Sequence, residues 1–559
     1  MNHGKYARSG KSWHGAAGLM AALGFLVLGG LHFGCSEPVN VDFNIINPCQ
    51  ENLFAEQGCN FMRIVVSALD PADPLHRDAA GQGLGPLAKT CDVAAGECTL
   101  DAEELVGEGR IVDVLCYATL ESEPVARASS SIVDLDSGGE GVAGKSLNLL
   151  LGNIYGFVET TVIRPGDSIG TCSKLGVAQN QGRFGHTATL LEDGRVLVVG
   201  GIIRYGQGVE KYLTTAEVFD PNTGEHTLLL DGAGMPIEMQ AGSGRAYHTA
   251  TRLRDGRVLI SGGVGLIQEG SMEIPTAIRS SELFDPASGT FVSPTDMGTA
   301  RAHHAATLLA TGEVLISGGV SYVSGAINNN GYYASAIVFN PETNAWSDVS
   351  NTMSSERAFH QSVLLDPAAT QGKVIIIGGE NGAGTLDSVD IFDPTSNSFF
   401  SNVSVNMSRA RSRFCATRLK NGEVLVAGGT TTKGDLEPDN GVEIFNLGQG
   451  GSFGGFKPDI ITLEVARMDH SCNLLDSGNV MVAGGRLSGG EATGVGELVV
   501  VGADSYTVQR LTDSLNPPRF LHQATELLNG WVLLTGGLPN DAVAEMAVMQ
   551  SMYFVPKPL

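Results

Sequence analysis

Seven times between Arg183 and Gly537 the chain repeats one pattern: Arg-x-x-His, a leucine, a Gly-ending turn, an apolar run and a Gly-Gly pair. A fixed period of this kind means a series of like structural units, and it constrains the architecture before any single residue does. The copies begin at Arg183, Arg245, Arg301, Arg357, Arg411, Arg467 and Arg519, at spacings of 52 to 62 residues. Their glycine pairs start at Gly200, Gly262, Gly318, Gly378, Gly428, Gly484 and Gly536.

Between the His and the glycine pair stand dipeptides such as Asp193-Gly194, Asp255-Gly256 and Asn421-Gly422, which supply the positive φ of a tight hairpin turn. One strand therefore runs into each turn and another runs out. The outgoing segments, from Val196-Leu-Val-Val to Val532-Leu-Leu-Thr, are apolar on both faces, as strands sandwiched between neighbouring sheets must be. Two residues after each His position the chain is always small: Ala188, Ala250, Ala306, Ser362, Ala416, Cys472 and Ala524. That uniformity suits a strand nearest the axis of a radial array. Several copies continue with a third strand ending in a turn, as at Phe219-Asp220-Pro221 and Phe392-Asp393-Pro394, and with a short aromatic strand at Phe291, Trp346 or Phe399.

Four strands per copy and seven copies predict an all-β chain ending in a seven-bladed β-propeller, a closed ring that leaves few sheet edges exposed. On Gly-Gly, Arg-x-x-His and the Phe-Asp-Pro turn with its following aromatic, the segment 173–559 resembles the kelch-repeat family, whose propellers share the architecture of galactose oxidase. It departs from the pattern in three places. Phe414 stands where the fifth His belongs, the fourth copy has four extra residues before Gly378, and the sixth and seventh copies lack Phe-Asp-Pro. Met552-Tyr-Phe-Val or a strand near Leu175 is expected to close the ring.

Before the repeats, Lys5, Arg8 and Lys11 precede an apolar stretch from Ala16 to Leu31, and then Gly34-Cys35-Ser36. This segment, 1–35, resembles a bacterial lipoprotein signal, which implies export, lipidation at Cys35 and a membrane anchor; Ser36 after the cysteine favours the outer membrane. Residues 36–172 read as a small Cys-rich domain, a disulfide-containing β-sandwich. Cys49, Cys59, Cys91, Cys98, Cys116 and Cys172 are its disulfide candidates, with the close spacings pairing Cys49 with Cys59 and Cys91 with Cys98. Cys415 and Cys472 are expected to face opposite sides of their strands and to be free structural thiols.

A net charge of −25, from 60 acidic against 35 basic residues, argues against a nucleic-acid partner, because phosphate neutralisation needs clustered Lys and Arg. The repeated histidines sit at equivalent places in different blades and read as structural hydrogen-bonding groups. The seven repeat arginines, near one pore mouth, either bind anionic groups or bond blade to blade. An oxidase of the galactose oxidase type needs copper ligands and a Tyr-Cys pair, and no position here matches them. No catalytic residue, cofactor or metal is assigned. The loops after the first three glycine pairs are long (202–214, 264–279 and 320–334), and the third carries Tyr322, Asn328, Asn329, Asn330, Tyr332 and Tyr333 as candidate ligand-binding residues. The function these features imply is that of an exported, lipid-anchored module binding a protein or a surface polysaccharide. The alternatives are an extracytoplasmic propeller enzyme acting on carbohydrate and a structural envelope component.

Overall fold

The second strand of every repeat, Val196–Val199, Val258–Ser261, Val314–Ser317, Val374–Ile377, Val424–Ala427, Val480–Ala483 and Val532–Thr535, is buried along its whole length. The computed structural model describes residues 182–556, apart from short breaks (206–208, 240–243, 270–271, 293–295, 324–325, 402, 404, 434–436, 449–452, 504, 541–546 and 549–550), and the backbone of strands between 26 and 159. Each second strand pairs antiparallel with an inner strand on one side and a third strand on the other, and the third pairs with an outer one. The inner strands are Thr187–Leu190, Thr249–Arg252, Ala305–Leu308, Gln361–Leu364, Cys415–Arg418, Ser471–Leu474 and Gln523–Glu526. Each touches the next, and the last touches the first, so seven four-stranded blades close into a ring. The small residue of the inner strand lies where blades meet: Ala188 packs against Leu533 and Tyr553 of blade 7. Burying one Val, Leu or Ile side chain here stabilises by roughly 1.5–3 kcal/mol.

In blades 2 to 5, the aromatic near the end of the third strand meets one on the outer strand. Phe284 and Phe291 have ring centroids 5.2 Å apart, Phe339 and Trp346 4.9 Å, and Phe392 and Phe399 5.5 Å. In blade 7 the third strand is Met552–Val555 and the outer strand is Gly156–Glu159, from before the first blade. Its register sets Phe157 opposite Phe554, the position that Phe291, Trp346, Phe399 and Phe456 hold in blades 2 to 5. Both termini therefore close the ring, and the upstream strand is this one rather than a strand near Leu175. The four extra residues of blade 4 form a turn of helix, Pro367–Thr370, whose N-cap Asp366 accepts a hydrogen bond from the Ala368 N–H.

Upstream, the described strands form one eight-stranded sheet rather than the two packed sheets of a sandwich. The physical reason lies in Gly107–Tyr117, which is eleven residues long and pairs with Phe61–Ala68 on one edge and with Pro124–Ser129 and Val133–Leu135 on the other. Strands thus join edge to edge. Leu26–Val27, within the apolar stretch, pair with Asp42–Ile46. Cys91 and Cys116 both stand opposite Met62, on either side of its strand. Two strand spacings put them about 9–10 Å apart, too far to pair with each other. Cys35, Cys49, Cys59, Cys98 and Cys172 lie outside the described residues.

Cys415 and Cys472 are not free thiols: they form a disulfide between the inner strands of blades 5 and 6, with Cα atoms 5.9 Å apart. They lie at positions of opposite parity on their strands, and that is what brings them together. In a ring, the forward face of one blade looks at the backward face of the next, so residues of opposite parity on neighbouring blades meet. In the chain-entropy picture, a bridge across 57 residues of sequence stabilises by about 4 kcal/mol.

Candidate functional site

The repeat residues build a scaffold around one mouth of the ring. The second glycine of each pair donates its N–H to the carbonyl of the following blade's arginine, as in Gly263 to Arg301 at 2.9 Å and Gly537 to Arg183 at 2.8 Å. The arginine side chains then turn back into their own blades. Arg357 donates to the Gly378 carbonyl at 2.7 Å and to Asp390 at 2.5 Å, and Arg411 to the Gly428 carbonyl at 3.1 Å and to Glu443 at 2.6 Å. Arg183 pairs with Glu217 at 3.0 Å, Arg245 with Glu282 and Arg467 with Glu497. Arg301 and Arg519 face Ile337 and Met552 at the equivalent register positions. Burial lowers the Arg301 pKa to about 10. All seven guanidinium groups are fully buried, so they lie beneath the mouth rather than on it. Their carboxylates went unread in the sequence, although an acid two residues before the third-strand aromatic marks them at Glu217, Glu282, Asp390 and Glu443.

The histidines are latches between blades. His186 meets the Thr535 hydroxyl at 2.9 Å, His248 meets Thr187 at 3.0 Å, His304 meets Thr249 at 3.0 Å, His360 meets Ser317 at 2.9 Å and His522 meets Ser471 at 2.9 Å. In each case the hydroxyl belongs to the preceding blade, at the first residue of its inner strand or the last of its second. Burial first, and then the neighbouring arginine, pushes the His304 and His522 pKa values down to about 3, so these rings are neutral. Phe414 breaks the pattern because blade 4 offers Gln361 and Ile377 at those positions, and its ring packs with Ile377 instead. His470 faces Ala427 and Cys415, where the disulfide replaces the hydroxyl. Phe414→His should therefore destabilise by about 1–3 kcal/mol in chemical denaturation, since a buried imidazole would find no hydroxyl. Adding Ile377→Ser should recover part of the loss; equal midpoints for the wild type and Phe414→His would refute the latch.

Between Arg and His, the third residue of each repeat was not singled out from sequence, and it makes the mouth. Gly185, Tyr247, His303, Phe359, Arg413, Asp469 and Leu521 all have left-handed backbones, with φ between 51° and 64°. Their amides form a chain around the axis: Tyr247 donates to the Gly185 carbonyl at 2.8 Å, Phe359 to His303 at 3.1 Å, Asp469 to Arg413 at 3.0 Å and Leu521 to Asp469 at 3.0 Å. For a residue with a Cβ, that conformation costs roughly 1–2 kcal/mol. Their side chains surround a cavity of about 440 Å³.

The three long loops after the first glycine pairs are β-hairpins rather than loops: Ile202–Tyr205 with Val209–Tyr212, Val264–Glu269 with Met272–Ala277, and Val320–Val323 with Ala326–Tyr332. The third borders the mouth and separates its candidates. Tyr322 and Ile327 line the cavity. Tyr332 is buried and donates to Glu380 at 3.2 Å, while the Tyr333 ring lies against the Arg301 guanidinium at 5.2 Å. Asn329 and Asn330 are exposed, Asn329 accepting from Lys433 at 3.2 Å, and Asn328 is half-buried against Ser321.

Inside the cavity the rings stack on one another. His303 lies 4.1 Å from Phe359 and 4.6 Å from Tyr247, centroid to centroid, and its Nε2 is 2.8 Å from the Tyr322 hydroxyl. Arg413 covers Phe359 at 4.0 Å. Burial, then Arg413, holds the His303 pKa well below its usual value, so this imidazole is neutral too. Burial alone would lower the Arg413 pKa, but Asp469 at 3.6 Å and Glu380 at 4.0 Å outweigh it and leave it raised. The Tyr247 and Tyr322 hydroxyls are pushed up by burial and stay protonated.

The Kelch motif family matches residues 367–399, which span blade 4 from its helical turn to its outer strand. A fungal alcohol oxidase of the AA5 family, solved with copper, is 14% identical over 68% of this chain and 75% of its own, with a TM-score of 0.50. The chain is a kelch-repeat β-propeller. YjhT is 15% identical to the propeller protein over 60% of this chain and 99% of its own, with a TM-score of 0.42. No protein of curated function matches the sequence. The likeness to the oxidase is one of fold. The mouth of this kelch propeller does not fit a copper centre: of the described histidines that border the cavity, His248, His304, His360 and His522 are engaged with hydroxyls of neighbouring blades and the His303 Nε2 with Tyr322, while Cys415 and Cys472 are joined to each other. Among the described residues, no three His, Cys, Asp or Glu side chains converge to hold a metal ion.

Proposed function

We propose that this kelch propeller is an exported binding module, tethered to the envelope membrane by lipidation at Cys35, whose mouth receives a protein or a surface polysaccharide. One observation carries the reading. Around the ring the scaffold positions repeat as arginine, histidine in six of the seven copies and then a small residue, whereas the left-handed position is Gly, Tyr, His, Phe, Arg, Asp and Leu in turn. The fold asks for one conformation there, which glycine takes at no cost. Bulky side chains at that position cost stability, and a ligand accounts for their retention. Two further features support the cellular setting: the charged and apolar segment ending at Cys35, and a disulfide joining two blades, which belongs to an oxidising compartment.

Cross-linking capture from the envelope of producing cells tests the function. The native chain should retain a partner that the double variant Tyr322→Ala, Arg413→Ala does not. A partner retained equally by both would place binding elsewhere on the molecule.

A further inference from the structure

Resting on the mouth as the binding site, the geometry points to a definite ligand chemistry: we propose that the cavity takes a protein segment that sets a neutral carboxamide, from an Asn or Gln side chain, between Arg413 and Asp469. The flat faces in the cavity are already used. His303 is sandwiched between Phe359 and Tyr247, and Arg413 covers Phe359. A sugar ring, which binds by lying on a free aromatic face, finds that platform occupied, whereas a group read through hydrogen bonds does not need it.

Arg413 provides those hydrogen bonds. Its contacts to Asp469 at 3.6 Å and Glu380 at 4.0 Å are at ion-pair rather than hydrogen-bond distance, and its side chain makes no hydrogen bond to a described residue. Five N–H donors thus stand beside a carboxylate that can keep its present partners and accept one bond more. A carboxamide matches that juxtaposition, its oxygen accepting from Arg413 and its NH2 donating to Asp469. Charge selects for neutrality. One guanidinium stands against two carboxylates, so an acidic ligand is repelled by Asp469 and Glu380, and a basic one competes with an internal cation already in place. Ile327 and Leu521 border the same cavity and suit the apolar neighbours of a peptide side chain.

The test is selection of random linear peptides displayed on phage against the full chain, with an Arg413→Ala counter-selection. Peptides that survive should share Asn or Gln at one position and lose about tenfold in affinity when it becomes Asp, Lys or Leu, a single hydrogen bond to a charged group. Asp469→Asn keeps a residue that tolerates the left-handed backbone. It should reverse the preference, so that the Asp peptide binds better than the Asn peptide. An acidic or basic consensus, or Arg413-dependent peptides with no shared carboxamide, would overturn this inference while leaving the mouth as the site. Uncharged hexose oligosaccharides that bind the native chain but not Arg413→Ala, with no peptide enriched, would overturn it in favour of a polysaccharide. If neither peptides nor sugars depend on Arg413, the mouth reading falls as well.

Discussion

Replacing Gly262 with valine is expected to cost at least about 4 kcal/mol and to leave little soluble protein. Gly262 has φ +59°, and a Cβ there would lie 2.4 Å from the Arg301 carbonyl oxygen, 2.8 Å from His304 Cε1 and 3.0 Å from Met297 Cε. The first contact is with backbone and cannot yield without moving blade 3. That same carbonyl accepts the Gly263 N–H at 2.9 Å, so the substitution strikes the bond joining blades 2 and 3. Gly289 separates strain from clash: it has φ +67° but nothing within 4 Å of a built Cβ. Gly289→Ala should cost only about 1 kcal/mol, the conformational term alone. Urea unfolding of the two variants measures the difference, and similar midpoints would refute the close approach at the glycine pair.

Removing one repeat arginine should be nearly as damaging where a carboxylate faces it. Arg411 reaches Glu443 at 2.6 Å and Asp439 at 3.1 Å, and donates to the carbonyls of Gly428 and Gly441 at 3.1 Å and 2.9 Å. Glu443 has no exposed surface. Arg411→Leu strands Glu443, while Asp439 keeps Arg409 at 2.8 Å, and is predicted to cost about 3–5 kcal/mol. Arg301 is the control within the same chain, because Ile337 occupies the position of the acid. Arg301→Leu removes hydrogen bonds to the Gly318 carbonyl and to Ser335 without orphaning a charge, and about 1–3 kcal/mol is expected. Equal losses in the two variants would mean that the buried ion pair contributes nothing beyond its hydrogen bonds.

The ring was legible in the sequence because its constraints are local and repeated. Strand, Asp-Gly turn, strand and Gly-Gly recur in order, and each follows from turn chemistry or two-sided burial. The latch partners were legible too, had each copy been read against its predecessor. Ser or Thr at the start of an inner strand or the end of a second strand forecasts a hydroxyl-bound His in the next copy, and Ile377 forecasts Phe414. The disulfide needed the geometry of facing blades, since parity along one strand says nothing about which neighbour that side sees. Least legible was the mouth. Tyr247, His303, Phe359, Arg413, Asp469 and Leu521 share no chemistry, and their common left-handed backbone appears only once the chain turns over the ring. The sequence marks repeated arginines and a Tyr- and Asn-rich loop as ligand residues. The arginine guanidinium groups lie buried beneath the mouth, and of the three loop tyrosines Tyr322 lines the cavity.

The most direct test of the account is the affinity of the captured partner for three proteins: the native chain, Arg413→Ala at the mouth and Arg195→Ala in the blade 1 turn on the opposite face. Arg195 pairs with Asp193, and its side chain is 42% exposed, so its loss disturbs no buried group. Binding through the mouth predicts that Arg413→Ala weakens affinity by about tenfold or more while Arg195→Ala leaves it unchanged. A partner that loses affinity with Arg195→Ala and keeps it with Arg413→Ala would contradict the assignment and move the binding surface to the other end of the ring.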